Sequence, residues 1–259
     1  MNNIHVTLLT TLDPQYETTK IWAAYRQCYS QYSATQLVHA NAFTADPQWM
    51  NEKAGKFIRE CLEKGHESPL EHVQLTFGIS GISRVATHQL VRHRIASYSQ
   101  QSQRYVRSKM NLNELYGGDY EGDLAEWKTL LMLPENVTEW LIERNELFSV
   151  LKMYELYSSM LEDGIKAENA RHILPEGSRS KIVVSMNLRS LLNFFHIRLC
   201  ESAQEEIRFV AMRMADLVIA EFPWLKGFVG PKCVRADHCL DGCGFVCEEH
   251  YVWRDESDA

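Results

Sequence analysis

The chain has 259 residues, enough for one large core or two small ones. Its hydrophobic share of 45% and charged share of 24% are those of an ordinary soluble globular protein, and no apolar run approaches the length of a membrane span. A formal net charge of −7 argues against the broad basic footprint that bulk nucleic-acid binding requires, so cations that matter to function must be focused locally.

The opening residues Met1-Asn2-Asn3-Ile4-His5 lack a basic segment and an apolar core, so no signal peptide is expected. Ile4 to Leu8 alternates and predicts a first strand. Tyr16 to Tyr29 predicts a helix with Ile21, Ala24, Tyr25 and Cys28 on one side. Asp46-Pro47 reads as an acidic N-cap followed by proline at the first helical position. Met50, Ala54, Phe57, Ile58, Cys61 and Leu62 supply that helix's apolar stripe, and Gly65 stands where a glycine stops it. Ser68-Pro69-Leu70-Glu71 has the spacing of a capping box and predicts a short helix beginning at Ser68, whose N-terminus is also an anion site. His66-Glu67 does not extend to a zinc-protease motif, because Leu70 occupies the position of the second histidine.

Val73, Leu75, Phe77 and Ile79 alternate with Gln74, Thr76, Gly78 and Ser80, which predicts a half-buried strand ending at Gly81. Ser83 to Arg94 predicts a helix presenting Gln89 and Arg92 one turn apart. Then comes the most unusual stretch of the chain, Arg92 to Arg104. Arg92, His93 and Arg94 are followed by hydroxyls at 97, 98, 99 and 102 and amides at 100, 101 and 103, and Arg104 closes the run. Guanidinium forks match phosphate and carboxylate in two-pronged pairs, and hydroxyl, amide and loop N–H groups complete an anion cradle. This composition predicts a site for a phosphorylated, hydrogen-bonding ligand; a solvated helix end is the other reading of the same residues.

Residues 111–134 lose periodicity, and Gly117-Gly118 with the acids at 119, 121 and 123 reads as an excursion or lid. A long helix is expected between Glu135 and Gly164, with Trp140, Ile142, Leu147, Leu151, Tyr154 and Met160 as core candidates. Glu168 and Arg171, three apart, read as an intrahelical ion pair. Ile182, Val184 and Met186 predict a strand, and Asn187 an N-cap. The helix after it buries Leu188, Leu191, Leu192, Phe195 and Leu199 and carries Arg189, Asn193, His196 and Cys200 along another stripe. Glu205 to Trp224 predicts a final helix with Ile207, Val210, Met214, Leu217 and Val218 apolar. The whole reads as an α+β protein, an antiparallel or mixed sheet flanked by long helices, with a domain over 1–229 and a Cys/His-rich tail over 230–259.

Cysteine usage divides in two. Cys28, Cys61 and Cys200 fall in helical patterns and read as reduced core residues, which makes the cytoplasm the expected compartment. The tail gathers Cys233, Cys239, Cys243 and Cys247 with His238 and His250, a metal-ligand composition without the usual C-x-x-C pairs. Structural zinc, a reduced tail and disulfides all remain open there. P-loop, dinucleotide-fingerprint and nucleophile-elbow motifs are absent, so a flavin, if bound, is not held by a Rossmann crossover.

Arg92-His93-Arg94, seven residues, then Ser102 resembles the signature of the flavin-dependent thymidylate synthases. His66-Glu67-Ser68-Pro69-Leu70-Glu71-His72, Glu168-x-x-Arg171-x-x-Leu174-Pro175 and Asn187-Leu188-Arg189-Ser190-Leu191-Leu192-Asn193-Phe194 followed by Arg198 extend the likeness in order, over roughly Ile4 to Trp224. The resemblance implies that family's fold, a homotetramer with shared active sites, and reductive methylation of dUMP to dTMP. Methylenetetrahydrofolate would supply the carbon, and FAD reduced by NADPH the hydride. It implies nucleotide contacts at Gln89, Arg92, Gln100, Gln101, Ser102, Gln103, Arg104 and Arg171. Flavin contacts are implied at His66, Ser68, Arg92, His93, Arg94, Gln100, Asn187, Arg189 and Asn193, with Arg198 activating the uracil. Many relatives carry Glu where this chain has Gln100, which puts a general-base role there in doubt and leaves a binding role intact. Two readings from other classes are a nucleotide-binding regulator using the same pocket without turnover, and a zinc-dependent RNA-binding module centred on the tail. The net charge weighs against the second, and flavin colour separates the enzyme from both.

Overall fold

The computed structural model describes residues 3–42, 49–107 and 127–233. Four strands form one antiparallel sheet in the order β1-β2-β4-β3: β1 His5–Leu8, β2 Gln74–Ser83, β3 Ser97–Gln100 and β4 Arg179–Asn187. Helices complete an α+β architecture, as the sequence predicts. The chain divides into two compact units. The first comprises Met1–His5, Gly78–Arg92 and Tyr98–Val183, and the second Val6–Phe77, His93–Ser97 and Val184–Ala259.

In the second unit, α1 (Pro14–Gln27) begins on Asp13, whose side chain accepts from the N–H groups of Gln15 and Tyr16, both at 3.1 Å. Two orphan donors of the first turn are thereby satisfied, and Pro14 costs nothing there. Ile21, Ala23 and Tyr25 are buried, and Thr18 accepts from the Trp224 indole at 3.0 Å. Because the helix stops at Gln27, Cys28 lies past its last turn and is exposed, against the expectation of a core cysteine; Cys61 is half-buried and Cys200 buried. α2 (Ala34–Ala42) packs on α1. Asp46-Pro47 lies outside the described residues. A π-helical stretch, Trp49–Gly55, leads directly into α3 (Lys56–Glu63). Gly65, at φ +78°, closes α3 with Gly65 N–H bonded to Leu62 C=O and His66 N–H to Cys61 C=O, a Schellman motif.

The predicted capping box does not form. Ser68–His72 is a 3₁₀ turn with no side-chain cap, and the Glu71 carboxylate pairs instead with Arg189. A charge-assisted bond to a guanidinium outweighs a neutral bond to a backbone N–H. The other predicted cap does form: Asn187 accepts from Ser190 N–H at 2.8 Å and starts α8 (Leu188–Arg198). Leu188, Leu191, Leu192, Phe194, Phe195 and Leu199 are buried, while Arg189 and Asn193 face solvent. Cys200 leaves the predicted polar stripe and is buried. α9 (Glu205–Glu221) buries Ile207, Val210, Met214 and Val218.

In the first unit, α4 (Arg84–Leu90) is shorter than predicted. Ser83 caps it through Ala86 N–H at 3.0 Å, and it ends before Arg92, which lies in a turn. The expected long helix is two, α5 (Glu135–Glu143) and α6 (Leu147–Glu162), broken at Asn145 with φ 55°. The break resets the helical phase. Leu141, Leu147, Leu151 and Tyr154 join Trp127 and Leu131 in one core, whereas Trp140 and Ile142 are half exposed and Arg144 lies over the Trp140 ring. The short α7 (Ala167–Ala170) and a 3₁₀ turn, Arg171–Ile173, then lead to β4.

β2 runs past its predicted end at Gly81, and that glycine is a steric requirement. It has φ +79°, and a Cβ there would stand 2.0 Å from the Asn3 carbonyl oxygen. Gly164 has φ +83° and open space around it. Gly164→Ala should therefore cost about 1 kcal/mol, the left-handed backbone penalty alone. Gly81→Ala should cost about 3 kcal/mol, because backbone must also move. Urea unfolding of the two variants measures the difference, and equal losses would show that the Asn3 contact constrains nothing.

Candidate functional site

The residues singled out from the sequence fall into two clusters, one in each unit. In the first unit, β3 carries the signature loop. Its inward side chains are Tyr98 and Gln100. The Tyr98 hydroxyl donates to Leu90 C=O at 2.8 Å and closes the C-terminal end of α4; burial pushes its pKa up to about 12, so it stays a donor. Gln100 donates its amide to Thr87 Oγ1 at 3.0 Å and to Ser180 Oγ at 3.3 Å. Gln101 N–H bonds to Lys181 C=O at 2.8 Å, so the loop leaves the sheet only after this residue. Half of the expected loop is thus an edge strand.

Ser102 turns the chain. Its hydroxyl oxygen accepts from Arg104 N–H at 3.2 Å and its carbonyl from Val106 N–H at 2.9 Å. The Ser102 proton is left to donate outward. Arg104 reaches Glu168, Nη2 to Oε2 at 3.0 Å, and Arg171 donates Nε–H to the carbonyl oxygen of the same Glu168 at 3.2 Å. The expected Glu168–Arg171 side-chain pair is therefore replaced by a residue that gathers two guanidinium groups, one through its carboxylate and one through its backbone. Arg84 was not singled out in the sequence, yet it adds a third charge to this neighbourhood. Its pKa is lowered by burial and by the cation of Arg171, partly offset by Glu176. Arg104 meets the Glu168 carboxylate, Arg171 the Glu168 carbonyl, and Arg84 feels the charge of Arg171, so guanidinium groups are concentrated in this neighbourhood. Gln89 and Gln103 are half-buried, and Arg92 is exposed.

In the second unit, Arg198 at the end of α8 donates Nε–H to His93 Nε2 at 3.0 Å. The His93 ring meets Phe194 edge-on, with centroids 4.9 Å apart. Burial first, and the Arg198 charge second, push the His93 pKa down to about 4. The imidazole is therefore neutral at physiological pH, with its proton on Nδ1 and its Nε2 lone pair holding the arginine. No carboxylate near His93 along the chain orients this histidine; Arg198 does so from 105 positions away.

Around α8, Arg189 pairs with Glu71 and, at 3.6 Å, with Glu67. His66, Ser68, Arg94, Arg189 and Asn193 are exposed, and Asn187 is half-buried with its side-chain oxygen committed to the cap. This set mixes two cations, an imidazole, a hydroxyl and an amide on adjoining elements, since the 3₁₀ turn Ser68–His72 packs against α8. Its chemistry fits a diphosphate with polar ring edges, as a flavin nucleotide presents. Of the sequence-predicted metal set, Cys233 is buried, and Cys239, Cys243 and Cys247 lie outside the described residues. Among the described residues no group of three or more His, Cys, Asp or Glu side chains is arranged to hold a metal.

The chain is similar to known proteins along most of its length. The flavin-dependent thymidylate synthase of Nitratidesulfovibrio vulgaris is 40% identical over 239 residues, covering 88% of each chain. That of Geobacter sulfurreducens is 37% identical over 254 residues, 95% of this chain and 96% of its own. A crystal structure of thymidylate synthase X from Helicobacter pylori with FAD and dUMP superposes with a TM-score of 0.63 at 28% identity, covering 86% of this chain and 96% of that one. The family model of the thymidylate synthase complementing proteins matches residues 8–224, a span that holds both clusters, and the chain belongs to that family, the flavin-dependent thymidylate synthases.

Proposed function

We propose that the protein synthesises dTMP from dUMP by reductive methylation, with FAD as resident cofactor and NADPH and methylenetetrahydrofolate as co-substrates. The observation that carries this reading is the gathering of Arg104 and Arg171 on Glu168 beside Ser102, a ready phosphate site at the signature motif. The H. pylori relative, crystallised with FAD and dUMP, supports the same ligands here.

The chain's own residues then divide the work. Arg104 and Arg171 neutralise the dUMP phosphate, and the Ser102 hydroxyl donates to it; Gln89, Arg92, Gln101 and Gln103 complete the nucleotide's contacts. Gln100 spends both amide protons on Thr87 and Ser180, so it shapes the loop and offers only its oxygen as an acceptor. His66, Ser68, Arg94, Arg189 and Asn193 hold the flavin, with Arg92, His93, Gln100 and Asn187 beside it. Bound FAD supplies hydride chemistry that no side chain can. Arg198 lies at the pyrimidine. Its Nε–H is anchored on neutral His93, so its charge is held in orientation to stabilise negative charge developing on the uracil ring as C5 attacks the methylene carbon. Preorganisation is the point: an arginine already held needs no reorientation in the transition state.

The same reading includes a homotetramer with shared active sites and a cytoplasmic location. No helix among the described residues is long and apolar enough to cross a membrane. It also includes a domain over 1–229 followed by a tail over 230–259, in which Cys233, Cys239, Cys243 and Cys247 hold structural zinc.

The purified protein should be yellow, contain non-covalent FAD, and convert dUMP to dTMP when given NADPH and methylenetetrahydrofolate. NADPH should bleach the flavin faster with dUMP present. Colourless protein that FAD cannot reconstitute would reject the assignment.

Ser102 and Arg198 separate binding from chemistry. Ser102→Ala should raise the dUMP dissociation constant by the worth of one hydrogen bond, about 0.5–1.5 kcal/mol. Arg198→Ala should lower turnover at saturating dUMP by about 10²-fold or more. Single-turnover flavin oxidation with both variants decides: if Ser102→Ala abolishes the step and Arg198→Ala spares it, the roles are reversed.

Elemental analysis tests the tail. About one zinc per chain is expected, released by acid or chelator because thiolates must deprotonate to bind. Metal-free protein with four freely titrating tail thiols would eliminate the site.

A further inference from the structure

In the second unit, α3 ends at Glu63 and the 3₁₀ turn begins at Ser68, so His66 and Glu67 belong to no helix or strand. The His66 side chain is exposed, and in the proposed function it contacts the flavin. A side chain carried by irregular backbone is placed less precisely than one on a helix or strand, unless something else fixes its peptide groups. Downstream the segment is anchored by Pro69 and Leu70, which are buried. Upstream it is anchored where Gly65 closes α3, with His66 N–H bonded to Cys61 C=O at 3.0 Å.

Between these anchors the His66 carbonyl receives a bond from the interior. Tyr25, on α1, donates its hydroxyl to that oxygen. The Tyr25 ring is buried and meets Phe57 of α3 edge-on, with centroids 6.0 Å apart. α1 packs against both α3 and the 3₁₀ turn. Burial first, and then the neighbouring Cys61 and Glu67 when charged, raise the Tyr25 pKa, so the hydroxyl keeps the proton it donates. Both backbone polar groups of His66 are thereby committed, the N–H to Cys61 and the C=O to Tyr25. The next carboxylate, Glu67, reaches Arg189 at 3.6 Å. The peptide joining His66 to Glu67 is fixed from inside while the imidazole stays outside. A buried phenylalanine would supply the same packing; a buried tyrosine adds a hydroxyl that must find a partner. Here the partner is the backbone of an exposed site residue, 41 positions away along the chain.

We infer that Tyr25 is a positioning residue of the flavin site, its hydroxyl fixing the His66–Glu67 peptide so that the His66 imidazole is presented to the cofactor in place. This role rests on the proposed function for the identity of its ligand. Tyr25, buried in α1, acts through His66. A ligand that meets backbone already ordered avoids the entropy of ordering it on arrival. Loss of the hydroxyl should therefore appear as weaker flavin binding more than as loss of the fold.

The test is equilibrium dialysis of the full chain against FAD. Tyr25→Phe keeps the ring and removes only the donor, and it should raise the FAD dissociation constant by about tenfold. Tyr25→4-aminophenylalanine returns a donor to the same place and should bring the constant back to within about twofold of wild type. The decisive arm is His66→Ala, in which the positioned side chain is gone. In that background Tyr25→Phe should change the constant by no more than about twofold, because residues acting through one another are not additive. A merely structural hydroxyl would give the full loss in both backgrounds, and that result would overturn the inference. Wild-type affinity in Tyr25→Phe, no recovery with 4-aminophenylalanine, or a Tyr25→Phe chain that does not fold would overturn it too. Wild-type protein that binds FAD but makes no dTMP would refute the catalytic reading and leave this role standing. Wild-type protein that binds no FAD would refute both.

Discussion

β4 is the constraint on which the rest of the structure depends. It is an inner strand, paired with β2 and β3, so its register is set on both sides. Its alternation sends Ser180, Ile182, Val184 and Met186 to the interior, and a slip of one residue would turn all of them out. Everything chemical at either end of the strand inherits that register. At its start Ser180 accepts from Gln100, and Arg179 donates to Leu131 C=O. At its end Asn187 is both the last strand residue and the cap of α8, so strand and helix meet without a loop. The positions of Arg189, Asn193 and Arg198 follow from that junction, because a helix that starts on a fixed residue presents fixed faces.

The second theme is how an acidic protein stores usable positive charge. An arginine matched one-to-one with a carboxylate offers little to a ligand. Here several arginines are held by neutral partners instead: Arg198 by an imidazole, Arg171 by a backbone carbonyl, Arg179 by two carbonyls. Each of these bonds orients a guanidinium through an uncharged atom. The His93–Arg198 pair depends on burial keeping the imidazole neutral, since a protonated ring would repel the guanidinium it now anchors. Arg104 is the counter-example, paired with the Glu168 carboxylate.

What could be read in the residues follows the range of the forces involved. The alternation of β2 and β4, the glycine stop at Gly65 and the Asn187 cap are local, and each appears where the pattern puts it. The family likeness was carried by motifs that local chemistry also marks as anion-seeking. The failures are long-range or phase errors. Glu71 left its capping box for an arginine 118 positions away, and Glu168 left its helical neighbour for one 64 positions away. Trp140 and Ile142 were misplaced because one left-handed residue, Asn145, splits a pattern that looks continuous. Arg84 was missed because an arginine at a helix start has no local signature; only its proximity to Arg171 gives it meaning.

Gln100 ties these themes together. Its two amide protons go to Thr87 on α4 and Ser180 on β4. A carboxylate in the same position has no proton to give, so Thr87 and Ser180 would have to turn their hydroxyls toward it and become donors. A glutamate at this position would therefore reverse the direction of two hydrogen bonds and add one negative charge. An amide in this place cannot act as a general base, whereas a carboxylate could accept a proton.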